Sequence, residues 1–95
     1  VARANRLAIG ADTTGFTPVN VCSGHPISIG AVAEVLARRV VGPAPVVTGE
    51  VRPGDIRHIV ADPARAREML GFTAHIGPEA GLADFATAPL REPAR

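Results

Sequence analysis

Ninety-five residues, 46% of them hydrophobic and 20% charged, allow one small globular domain and exclude a disordered chain. A net charge of +1 leaves no electrostatic footprint for nucleic acid or an anionic membrane surface. The single cysteine, Cys22, excludes an internal disulfide and a cysteine-based zinc site.

A chain of this size buries only roughly 60% of its unfolded surface, so it has one core with little to spare. That core must be aliphatic, because the aromatics are three Phe with no Tyr or Trp. No apolar run approaches the ~20 residues that a membrane span requires, and no signal peptide is read, so a cytoplasmic location is expected. All ten basic residues are Arg.

Residues 1–11 read as a helix, with Val1, Ala4, Leu7, Ala8 and Ala11 on one apolar stripe and Arg3 and Arg6 off it. No N-cap residue precedes it in this chain, and Asp12-Thr13-Thr14-Gly15 closes it. Residues 16–22, rich in β-branched side chains, read as a strand with Pro18 near its beginning. Ser23-Gly24-His25-Pro26 is the turn that follows. In an α/β sheet such a turn faces the ligand crevice, which makes Asn20, Ser23 and His25 candidates to line it. Turn hydrogen bonds are the competing reading for each of them. Cys22 reads as a small buried hydrophobe.

Ser28 is an N-cap for a helix over 29–41. Its inward face is Ile29, Val32, Ala33, Leu36, Ala37 and Val40. Glu34 and Arg38 stand one turn apart on the other side, and Gly42-Pro43 ends the helix. A short strand over 44–50 leads to Arg52-Pro53-Gly54-Asp55. Residues 56–61 are extended again, with His58 read as a half-buried, satisfied histidine.

Asp62-Pro63 starts the next helix, which buries Ala66, Met69 and Leu70 and stops at Gly71. Phe72 packs behind its end. Gly77-Pro78-Glu79 opens a last short helix with Leu82 and Phe85 inward, and residues 88–95 form a loose tail.

The chemistry concentrates at Arg52-Pro53-Gly54-Asp55. Pro53 fixes φ and Gly54 permits a positive φ, so a type II turn fits. Such a turn sets how Arg52 and Asp55 project from its ends. The planar guanidinium suits phosphate oxygens, and the carboxylate suits paired hydroxyls such as a ribose diol. That pairing suggests recognition of a nucleotide diphosphate. A solvated ion pair on a surface turn is the other reading. Arg57 either assists in phosphate binding or is solvated.

Four segments in order carry a resemblance. They are Val1-Ala2-Arg3-Ala4-Asn5-Arg6-Leu7-Ala8, Val19-Asn20-Val21-Cys22-Ser23-Gly24, Arg52-Pro53-Gly54-Asp55 with Ala61-Asp62, and Arg65-Ala66-Arg67-Glu68-Met69-Leu70-Gly71-Phe72. With their spacing they resemble the C-terminal part of the NAD-dependent epimerase/dehydratase family, the extended short-chain dehydrogenases that act on nucleotide sugars. Within that family the segments look similar to UDP-glucose 4-epimerases and dTDP-rhamnose 4-epimerase-like members.

The resemblance implies an α/β chain, the C-terminal part of an extended Rossmann-type epimerase, with short strands alternating with about four helices. Residues 1–87 would then be the nucleotide-sugar-binding part and 88–95 the tail. Carried over by motif, Arg52 contacts the diphosphate of a UDP- or dTDP-hexose, Asp55 its ribose hydroxyls, and Arg57 lends a weaker contact. NAD is implied for the complete enzyme, where it accepts a hydride from the sugar and returns it. None is expected on this chain, which has no Gly-x-Gly-x-x-Gly. The family's Tyr and Lys acid–base pair is also absent, so no catalytic residue is expected here. The expected partner is the N-terminal NAD-binding half, or a protein supplying it. A non-catalytic fragment or an interaction module without a ligand is the alternative. A hydrolytic triad from Ser23, His25, His58 and Asp55 lacks the Gly-x-Ser-x-Gly elbow and is set aside.

Overall fold

Short apolar periods capped by Ser, Asp and Gly make helices in this chain, and the computed structural model, which describes residues 1–92, contains four of them: α1 (Ala2–Ile9), α2 (Ile29–Arg39), α3 (Ala64–Leu70) and α4 (Pro78–Ala86). The chain divides into two compact units. Unit 1 is Val1–Pro26 with Arg52–Ile76, and unit 2 is Ile27–Val51 with Gly77–Arg95. The last three residues of the expected tail, 93–95, lie outside the described residues.

The α/β expectation is overturned. Among the described residues there is no strand and no sheet, so this is not a Rossmann-type fold. The reason lies in what a strand requires. β-Branched composition favours an extended backbone, but a ladder forms only when a second backbone lies alongside to exchange hydrogen bonds and pack cross-strand pairs. Residues 44–50 have the composition without the neighbour, and Val46 and Val47 stand 82% and 95% exposed. The 16–22 run is extended too, but side chains hold it. Asn20 Nδ2 donates to the Asp62 carbonyl at 3.3 Å, and Cys22 Sγ to the Ala61 carbonyl at 3.4 Å. An Arg65 Nη1 donates to the Pro18 carbonyl at 3.2 Å.

Unit 1 is built on α1 and α3. Its buried residues are Ala4, Ala66 and Phe72, with Leu7, Val19, Leu70 and Ala74 packed against them. Two alanines at the contact let the helices approach closely, and the Phe72 ring fills the remaining space. The Asp62 carboxylate accepts from the Ala64 N–H at 2.9 Å and so caps the α3 start. Gly71 ends α3 in the left-handed region, at φ +64°. There the Gly71 N–H bonds the Arg67 carbonyl at 3.0 Å, the bond of an αL ending, and the Phe72 N–H returns to the Ala66 carbonyl at 3.2 Å. That ending is what turns Phe72 back into the core. Met69, expected inside, is 40% exposed instead, because the seven residues of α3 bury their face through Ala66 and Leu70.

Arg3, which lies off the apolar stripe, has its guanidinium 4.8 Å from the centre of the Phe72 ring. It also donates to the Thr73 carbonyl. A cation over a ring and a carbonyl at a chain bend tie α1 to the segment after α3.

Unit 2 pairs α2 with α4. The Ser28 hydroxyl accepts from the Ala31 N–H at 3.1 Å, as an N-cap should. Val35 is the residue that becomes buried, while Ile29 is 84% and Val40 50% exposed. The packed face is therefore rotated toward Val35 from the stripe read off the sequence. Arg38 pairs with Glu79 at 3.6 Å rather than with Glu34 one turn back. Phe85, expected inward, is 71% exposed. No helix of the described residues is long and apolar enough to cross a membrane.

Candidate functional site

The turn at Arg52-Pro53-Gly54-Asp55 forms as its residues dictate. Gly54 takes φ +89°, a region open to glycine and closed to most side chains. The Asp55 N–H closes the turn on the Arg52 carbonyl at 3.2 Å. A proline at the second position and a glycine with positive φ at the third are the requirements of a type II turn.

This geometry brings Arg52 and Asp55 together. Arg52 Nε donates to Asp55 Oδ1 and Oδ2, each at 3.2 Å. Both side chains face water, at 83% and 58% exposure. One N–H is shared between two oxygens, so neither bond is strong. The two terminal guanidinium nitrogens of Arg52 make no hydrogen bond among the described residues. A pair of donors in a plane is thus presented outward, next to a carboxylate with lone pairs to spare. Chemically, such an arrangement can hold an anionic oxygen and a hydroxyl side by side.

Arg57 is exposed at a bend two residues further on, and His58 beside it is exposed as well, not half-buried as expected. The imidazole has nothing over it because residues 56–61 form no sheet face. Of the three expected contacts, Arg52 and Asp55 are in direct contact with each other, and Arg57 bonds to neither of them.

No crevice at strand ends forms among the described residues, since that needs a sheet; Asn20 lines instead an open cleft with Pro18, Asp62, Ala64, Arg65 and Glu68, and Ser23 and His25 are not among its lining residues. Asn20 is used on the Asp62 carbonyl. Ser23 Oγ accepts from the His25 N–H at 3.1 Å, which is turn structure. Gly24, between them, sits at φ +77°, and a Cβ there would lie 3.1 Å from Pro63 Cγ. That close approach fixes the 23–26 turn against the start of α3, a role that sequence reading did not assign to Gly24.

Dinucleotide binding of the Rossmann type needs a strand, a glycine-rich turn and a helix in succession. The described residues supply no strand and the sequence no such glycine spacing, so these residues do not fit NAD. Nor do the described residues gather three or more His, Cys, Asp or Glu that could hold a metal ion. Comparison with known proteins found no matching family model, no matching curated protein and no matching solved structure.

Proposed function

We propose that this chain binds the diphosphate and ribose of a nucleotide sugar through Arg52 and Asp55, with Arg57 as a weaker contact. On this reading it is the substrate-positioning portion of an NAD-dependent sugar epimerase or dehydratase acting on a UDP- or dTDP-hexose. The observation that carries the reading is the Arg52–Asp55 pair on its type II turn, exposed and oriented outward. The family resemblance of the other three sequence segments supports it as well.

The mechanism assigned to these residues is positioning. Anchoring the nucleotide at a distance from the reacting sugar carbon converts binding energy into orientation of that carbon. A charged hydrogen bond of the guanidinium to phosphate contributes on the order of 1.5–3 kcal/mol, and the exposure of both side chains puts this pair at the low end. The NAD and the acid–base pair belong to a part of the enzyme other than these residues, in this chain's own polypeptide or in a partner. A cytoplasmic location is part of the same reading.

The second reading is an interaction module without a ligand. Its support is the exposure of apolar side chains on extended backbone, among them Phe16, Val47 and Ile59 at 93%, 95% and 82%. Equilibrium titration of the chain with UDP, followed calorimetrically in wild type and Arg52→Ala, separates the two. Heat that disappears with Arg52→Ala supports nucleotide recognition. Equal heats in both proteins, or none in either, leave the interaction module as the better account.

A further inference from the structure

We draw no further inference here: the strongest candidate, the cleft in unit 2 lined by Arg38 and Arg39 at the end of α2 and by Gly77 and Pro78 at the start of α4, rests on a helix N-terminus and two exposed arginines, one of them paired with Glu79, and no second observation points to a ligand.

Discussion

Arg52 Nε and the Asp55 carboxylate share one N–H between two oxygens at 3.2 Å each, across a turn whose Gly54 has φ +89°. The two groups assigned to phosphate and ribose therefore hold each other in place before any ligand arrives. A ligand that adds to the outer guanidinium nitrogens and to free carboxylate lone pairs need not break the pair. Preorganisation of this kind lowers the ordering cost of binding.

The division of labour within the pair is testable with partial ligands. Pyrophosphate carries only the feature read by Arg52, and uridine only the feature read by Asp55. Asp55→Asn should weaken uridine binding and spare pyrophosphate, whereas Arg52→Ala should do the reverse. Amide chemical-shift titrations of each variant with each compound give the comparison. Equal losses for both compounds in both variants would show that the turn acts by shape and not by the assigned contacts.

Losing the pair should cost the fold little. Exposed ion pairs contribute roughly 0–1 kcal/mol, and less as salt screens them. Arg52→Ala is expected to lower the unfolding free energy by less than that amount. A larger destabilisation, measured by chemical unfolding, would mean that Arg52 has a structural role beyond the turn.

Gly24 and Gly71 both hold positive φ, at +77° and +64°, but their surroundings differ. Alanine at Gly71 meets nothing within 4 Å and bears only the left-handed backbone penalty, about 1–2 kcal/mol. Alanine at Gly24 bears that penalty and also crowds Pro63 Cγ at 3.1 Å. Thermal unfolding should therefore rank Gly24→Ala below Gly71→Ala in stability. The opposite order would indicate that the 23–26 turn gives way easily.

Phe72 is the one large side chain in the core of unit 1, and Arg3 lies over its ring. Phe72→Ala should cost about 3–5 kcal/mol, as for other buried aromatics, and should collapse the dispersed amide signals of unit 1. Arg3→Ala should cost about 0.5–1 kcal/mol through the lost cation–ring contact. Identical, negligible effects of the two variants on dispersion would place Phe72 outside the core.

Three helix ends were legible in the sequence because their causes are local, whereas α1 ends at Ile9 and α2 at Arg39, each two residues before the expected end. Ser28, Asp62 and Gly71 each act on backbone within a few residues, and each does in the structure what its chemistry requires. The turn at Arg52–Asp55 was legible for the same reason: proline and glycine set its dihedrals without help. What the sequence could not show was anything that depends on a neighbour. The runs over 16–22 and 44–50 have strand composition, but pairing is a property of two segments, and among the described residues no second backbone exchanges ladder hydrogen bonds with either run. Val35 was missed because apolar residues flank it on both sides along α2, and only the position of α4 selects which of them is covered. The contact of Arg3 with Phe72 was not read from the sequence, because a guanidinium over an aromatic ring leaves no trace in periodicity.

The central claim is that the Arg52–Asp55 turn binds a nucleotide diphosphate. Its most direct test is an amide NMR titration of the chain with UDP and with dTDP, repeated on Arg52→Ala. The account predicts dispersed spectra in which signals of residues 52–57 shift on titration and stop shifting in the variant. A dispersed spectrum in which those signals stay still, or in which they shift equally in Arg52→Ala, would contradict it.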